Sequence, residues 1–277
     1  MAYTRTQVTE RLNATLADGK PIIAAGSGIG ISAKFAEKGG ADLIVIYNSG
    51  RYRMTGYSSW AGFLPIGDAN GIVLEMGERE ILPVVKSAPV IAGIFASDPT
   101  RRMDVFLKQV KDMGFSGIIN FPTVAILEGN FRDNLESSGL GFIREVEATK
   151  LAHDMELFTM AYVFNPDESA QMAEAGVDCI VAHMGNTKGG TVGQEGGVFT
   201  LADAAKLTRE IAVAAWAVNP EIKVLCHGGP IAFPDDAAYV IREAGVQGFV
   251  GASSMERLPV EKPLTDATKA FKDIPMN

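Results

Sequence analysis

Eight short apolar runs recur along the chain: PIIAAG (21–26), DLIVIY (42–47), PVIAGIF (89–95), GIINF (117–121), LFTMAYV (157–163), DCIVAH (178–183), KVLCH (223–227) and GFVGAS (248–253). Each is apolar nearly throughout rather than alternating, which is how parallel strands covered on both faces read. Amphipathic segments lie between them. ISAKFAEKGGA follows the first run, and NGIVLEMGEREILPVVK follows a long loop behind the second. TRRMDVFLKQVKDMGF, FIREVEATKLAHDM, DESAQMAEAGV, LADAAKLTREIAVAAWAV and PDDAAYVIREAGV continue the rhythm. Asp98 and Pro99, Pro166 and Thr200 read as helix starts. Four helices end in a glycine within a repeated phrase: EKGGADLIV, KDMGFSGIIN, AEAGVDCIV and REAGVQGFV. There the helix stops and the next strand begins after a short turn. Residues 4–19 read as an extra N-terminal helix, with Val8, Leu12 and Leu16 on one face to plug the bottom of a barrel.

This rhythm predicts an α/β fold, a (β/α)8 barrel with 1–277 as one domain. The 277 residues suit such a barrel, which needs about 250 as one unit. An open doubly wound sheet is the rival; the count of eight strands and the loop asymmetry favour closure. The net charge of −8 argues against nucleic acid as a partner. No apolar run is long enough to span a membrane, and the first residues lack a secretory signal, so a cytoplasmic protein is expected. Cys179 and Cys226 lie inside apolar runs without metal-ligand spacing, which predicts buried reduced thiols.

Loops before strands are short, and loops after strands are long, polar and glycine-rich, so the active site is expected at the C-terminal strand ends. His183 and His227 end the sixth and seventh runs and are candidates for proton transfer or for stabilising an enolate oxygen. Gly228 and Gly229, together with Gly251, Ala252, Ser253 and Ser254 ahead of a short helix holding Met255 and Glu256, form a candidate phosphate or anion cradle. Asn48, Arg51, Arg53 and Asn120 suit recognition of a carboxylate or carbonyl, with Gly26 and Ser27 beside them. Glu128, Glu145 and Glu195 are candidate proton-transfer carboxylates, each equally readable as a solvated loop charge. No lysine ends a strand, which argues against Schiff-base chemistry. GSGIG lacks the third glycine of a dinucleotide loop. Tyr52, Tyr57, Trp60 and Phe63 in one loop would cover the pocket or meet another subunit, and a homo-oligomer is expected.

YNSGRYRMTG, NFPTVAILEGNFRDNLESSGLGFIREVE, AHMGNTKGGTVG, CHGGPIAFPDDAAYVI and GASSMERLPVE resemble the phosphoenolpyruvate hydrolase-like family of TIM-barrel proteins, over roughly residues 5–270. The resemblance implies kinship with phosphoenolpyruvate mutase and phosphonopyruvate hydrolase. It also implies a likeness to the C-terminal domain of a plant virus-resistance protein, joined there to an ATP-binding domain, so an ATP-binding partner protein is implied. The wider superfamily binds Mg2+ through Asp-rich motifs after strands three and four. Here those positions read FASDP and NFPTV, with Asp98 the lone candidate ligand and a better helix cap. No metal ligand is assigned. The expectation is a hydrolase or carbon–carbon lyase acting on a small anionic 2-oxo or enol acid, phosphorylated or not, through an enolate-like state. The alternative is a non-catalytic or partner-dependent module that binds a small anion.

Overall fold

The computed structural model describes residues 2–193, 196 and 199–276. Eight parallel strands close in chain order into one barrel. They are β1 (Ile22–Gly26), β2 (Leu43–Ile46), β3 (Val90–Ile94), β4 (Gly117–Asn120), β5 (Phe158–Val163), β6 (Cys179–His183), β7 (Lys223–His227) and β8 (Gly248–Gly251). Every apolar run identified above is one of these strands, and the expected (β/α)8 class is the observed one. The ring shuts where Ile22 of β1 lies opposite Gly248 of β8.

The helices are α1 (Arg5–Ala17), α2 (Gly30–Lys38), α3 (Asn48–Met54), α4 (Ala69–Met76), α5 (Met103–Met113) and α6 (Gly129–Ser137). They continue with α7 (Ile143–Asp154), α8 (Pro166–Glu174), α9 (Leu201–Val218), α10 (Pro234–Ala244) and α11 (Arg257–Lys272). Gly40, Gly114, Gly176 and Gly245, in the four repeated phrases, all have positive φ, from 69° to 107°. That backbone is the one a helix-ending glycine supplies.

Alternation along the strands splits the apolar residues into two sets. Ile22, Ala24, Leu43, Val45, Ile91, Ile119, Phe158, Met160, Val181, Leu225 and Val250 point inward and pack together inside the barrel. Their strand neighbours point outward and pack under the helices. Thr4 caps α1 in a reciprocal capping box with Gln7, and Val8 and Leu12 bury themselves in the inner cluster as the expected plug. Cys179 and Cys226 are buried free thiols, and burial pushes the Cys226 thiol up to about 12.

Four local expectations need correction. Asp98 does not cap a helix: α5 begins at Met103, and Asp98 instead accepts hydrogen bonds from Thr100, Arg101 and Asn70. Met255 and Glu256 lie in a turn, and the helix after β8 begins at Arg257 and runs to Lys272. It carries Pro263 inside and is exposed beyond its first turn, so no apolar periodicity announces it. The segments at 48–54 and 129–137 are helical rather than loops. The first buries Asn48, Ser49, Gly50 and Arg53, and the second buries nothing, so neither has an apolar face to read.

Gly248 and Gly117 show how tightly the barrel closes. A Cβ at Gly248 would sit 2.0 Å from the Ile22 carbonyl oxygen, and one at Gly117 would sit 2.1 Å from that of Phe158. Backbone cannot yield there without opening the ladder. Gly248→Ala is expected to destabilise by about 3 kcal/mol or more, the upper end for overpacking. Urea unfolding monitored by circular dichroism measures it, with the exposed turn glycine Gly139→Ala as the strained but uncrowded comparison.

Candidate active site at the barrel mouth

The alternation that fills the core also decides what reaches the mouth. Continuing each inward set by one step brings Tyr47, Phe121, Tyr162, His183, His227 and Ala252 to the top layer. β6 and β7 pair with His183 opposite His227, so both rings stand at one height, their centroids 4.6 Å apart. The Tyr162 ring lies 4.9 Å from His183 and 5.1 Å from His227. Tyr162 and Tyr47 join hydroxyl to hydroxyl at 2.9 Å.

These side chains floor a cavity of about 440 Å³, its opening to solvent included. Ser49, Arg53 and Ser59 form one wall, and Ser253, Asn186 and Thr187 another. Trp60, Phe63, Phe121 and Ile126 make the apolar side. Of the aromatic loop residues, Trp60 and Phe63 therefore line the cavity, whereas Tyr57 is exposed.

Arg53 is held by a carboxylate from across the mouth. Glu256, following β8, receives the Arg53 Nε–H at 2.8 Å. Arg53 Nη2 lies 2.7 Å from the same oxygen but off the line of its N–H bonds, a charge contact rather than a second hydrogen bond. Both side chains are almost completely buried. The other Glu256 oxygen accepts from the Gly28 backbone N–H at 2.5 Å and from the Ser32 hydroxyl. One carboxylate thus joins the loops after β1, β2 and β8. It occupies the start of α2, where the positive end of the backbone dipoles favours an anion.

Both histidines are buried, without a counter-ion among the described residues. Burial and the neighbouring His227 hold His183 well below the ordinary imidazole range. Burial holds His227 at about 4; its bond to the Val250 carbonyl opposes the shift and the Arg53 charge adds to it. Both rings are neutral at pH 7. Burial also raises Tyr47 to about 12, against its bond to Tyr162.

Of the residues singled out from sequence, the cavity brings together His183, His227, Arg53, Ala252 and Ser253. Asn120 is one step out of phase with the inward residues Ile119 and Phe121. Its amide donates to Glu145 at 2.6 Å and to the Tyr162 carbonyl at 3.1 Å, and its oxygen accepts from Tyr162 N. Asn48 donates to the Gly62 carbonyl and caps the Ser49 N–H, ordering its own loop. Arg51 points away to Glu80 and Glu75. Gly26 packs on Ala252 and Tyr47, and buried Ser27 bonds through its backbone to Val45. The Gly229 N–H is taken by the Gly185 carbonyl, which also crowds Gly228. Gly251 packs on Met255, and the Ser254 hydroxyl is buried without a partner among the described residues. Glu128 is exposed on the rim of a neighbouring hollow lined by Phe164, Met184 and Leu207. Glu195 lies outside the described residues.

Glu145 is a scaffold group. Fully buried, it accepts from Asn120, from the Thr123 hydroxyl and from Val124 N at 2.6–2.7 Å. Burial nevertheless pushes its carboxyl up to about 7. Tyr47, Tyr162 and Glu256 escaped the sequence reading. The tyrosines were legible as hydroxyl-bearing residues near the C-terminal ends of DLIVIY and LFTMAYV.

The magnesium implied by the family resemblance finds no fitting donors among the described residues. The Asp98 carboxylate already accepts from Thr100 N, the Thr100 hydroxyl, Arg101 and Asn70. Burial opposes ionisation there, but these bonds hold it at about 2. Asp98 lines other hollows than the histidine cavity. Among the described residues no three His, Cys, Asp or Glu side chains converge as a metal site. Among them, too, no helix is long and apolar enough to cross a membrane.

Residues 7–274 match the family described as phosphoenolpyruvate hydrolase-like. The chain is 55% identical over 273 residues to the ToMV susceptible protein tm-1(GCR26) of Solanum lycopersicum, covering 98% of this chain and 36% of that protein. It thus spans about a third of that relative's length. Phosphonopyruvate hydrolase, solved with oxalate and Mg++, shares the fold with a TM-score of 0.58 at 19% identity, over 96% of this chain and 87% of its own. 2,3-Dimethylmalate lyase, described as a PEP mutase/isocitrate lyase superfamily member, does so with a TM-score of 0.62 at 16% identity, over 100% of this chain and 93% of its own.

Two stability measurements follow from these contacts. Arg53→Met leaves the Glu256 carboxylate buried without its counter-charge and is expected to cost about 3–5 kcal/mol in urea unfolding. Adding Glu256→Met should recover part of that loss rather than add to it. For Glu145, the raised pKa means the folded state binds a proton that the unfolded chain has lost. Its contribution is full below pH 4.5 and is lost as pH rises through about 7. Glu145→Gln should remove that part of the pH dependence, read as the difference between the two stability–pH curves.

Proposed function

The chain belongs to the phosphoenolpyruvate hydrolase-like family, and from that premise we propose that it is an enzyme acting on a small 2-oxo or enol acid through an enolate-like state. The overall reaction is hydrolysis or carbon–carbon lysis. The observation that carries this reading is the pair of neutral histidines, side by side in one cavity that the Arg53 guanidinium also lines. Neutral imidazoles can accept a proton from carbon or donate a hydrogen bond to oxygen. Arg53 suits a substrate carboxylate, since a guanidinium offers donors in a planar fork and Nη1 has only a long 3.4 Å contact to Ser59. Ser253 stands ready for a second polar or anionic group. Phosphonopyruvate hydrolase and oxaloacetate acetylhydrolase, whose names carry 2-oxo acids, share the fold, which supports the class of substrate. No step is routed through magnesium.

A second reading rests on the chain spanning 36% of its tomato relative. In it the barrel binds the acid, and turnover needs an ATP-binding partner of the kind the family resemblance implies.

A screen of 2-oxo acids, phosphoenolpyruvate and phosphonopyruvate, with and without Mg2+, tests both. On the first reading one compound is turned over by the purified chain, and His183→Ala and His227→Ala each lose about a hundredfold or more. Unchanged rates in both variants would remove the histidines from the chemistry. On the second, a compound present at about 100 times its Kd stabilises the chain by about 2.7 kcal/mol in thermal unfolding without turnover.

A further inference from the structure

Within that enolate reading, we propose that the two histidines have fixed and opposite roles: His227 removes the proton from the carbon beside the substrate carbonyl, and His183 donates a hydrogen bond to the enolate oxygen. The backbone imposes the difference. His183 Nδ1 lies 2.9 Å from the Gly185 N–H, which can only donate, so that nitrogen bears no hydrogen. The proton of neutral His183 is therefore on Nε2. His227 Nδ1 lies 2.7 Å from the Val250 carbonyl oxygen, which can only accept, so that nitrogen bears the hydrogen. The lone pair of neutral His227 is therefore on Nε2. The reverse tautomers would set two donors against each other at Gly185 and two acceptors at Val250, both in buried surroundings.

With each Nδ1 engaged on backbone, Nε2 is the nitrogen each ring has left for a ligand. The cavity so receives one lone pair and one N–H from rings 4.6 Å apart at the same height. Burial keeps both rings neutral, as the tautomer argument requires. In the step itself the carbon–hydrogen bond breaks and its proton goes to His227 Nε2. The bonding pair becomes the carbon–carbon double bond, and the carbonyl π pair moves onto oxygen. The oxyanion accepts the His183 Nε2–H. An imidazolium and an enolate form together, so net charge is unchanged. Reversal returns the proton from His227 Nε2 to carbon.

The assignment has a test that needs no substrate. Nitrogen-15 shifts of labelled histidine in the unliganded chain distinguish the two neutral tautomers. One ring protonated on Nδ1 and one on Nε2, assigned through His183→Gln and His227→Gln, is expected; the same tautomer in both overturns the proposal.

The roles are separated by two further readouts. These are deuterium exchange of the C3 protons of 2-oxobutyrate in D2O, and the Kd of oxalate, a planar dianion shaped like an enolate. His227→Gln should slow exchange by about a hundredfold or more and change the oxalate Kd by less than about threefold. His183→Phe should slow exchange and also weaken oxalate by about tenfold or more, since a hydrogen bond to a charged group is lost. His183→Gln, which keeps a donor, should restore part of both. The opposite pattern, oxalate weakened by His227→Gln and untouched by His183→Phe, overturns the assignment. Opposite tautomers in a wild-type chain that exchanges no C3 proton overturn the enolate reading, and the roles with it, while leaving the tautomer geometry standing.

Discussion

The mouth of this barrel depends on one buried ion pair. Arg53 in α3 and Glu256 in the turn after β8 lie 203 positions apart in the chain, and both are taken out of water. Removing two charges from solvent is expensive, and their mutual attraction offsets it only when every remaining hydrogen-bonding position is filled. Glu256 meets that condition with Gly28 and Ser32, whereas Arg53 Nη2 has no hydrogen bond among the described residues. Gly28 can serve because its backbone touches Gly50, with no room for a side chain on either. The pair therefore sets the mutual positions of α2, α3 and the turn after β8. It also presents the rest of the Arg53 guanidinium to the cavity at a fixed place. Loops that would otherwise move independently are tied to one carboxylate.

A second carboxylate does the same work on the other side of the mouth. Glu145 gathers the Asn120 amide, the Thr123 hydroxyl and the Val124 N–H. The segment leaving β4 is thereby pinned, and Phe121 stands against Tyr47, Phe63 and Tyr162. The floor between these anchors is uncharged, and its polarity comes from the orientation of neutral groups. In such surroundings a hydrogen-bond donor placed in advance does more than it would in water.

The fold was legible in the sequence because its strands are buried on both faces and its helices end on glycine. The site was legible only in part. His183 and His227 could be found because each closes an apolar run and the two runs are neighbours. Asn120 also ends a strand, yet it faces outward, because Ile119 and Phe121 hold the inward phase of β4. Alternation along the strand, carried to the top of each run, separates these cases and would also have selected Tyr47, the last residue of its run, and Tyr162, the last but one. No such rule reaches Glu256. Its partners Gly28, Ser32 and Arg53 lie more than two hundred positions earlier in the chain, and only closure of the barrel brings β8 beside β1. Asn48 and Arg51 share a short helix with Arg53, where rotation about the axis, not proximity in sequence, sorts the cavity-facing residue from the loop-ordering ones.

The lining of the cavity is also lopsided. Trp60, Phe63 and Phe121 stand in a row, with centroids 5.6 and 5.2 Å apart, while the histidines, Arg53 and Ser253 supply polar lining. A flat molecule resting against the aromatic row has one face against carbon and the other toward nitrogen and oxygen. Its two faces are then no longer equivalent, even if the molecule itself is symmetric about its plane. Handedness enters the site here. In the proposed reaction, a bond made or broken from the polar side would be made or broken on one chosen face, and a new stereocentre formed there would carry a single configuration.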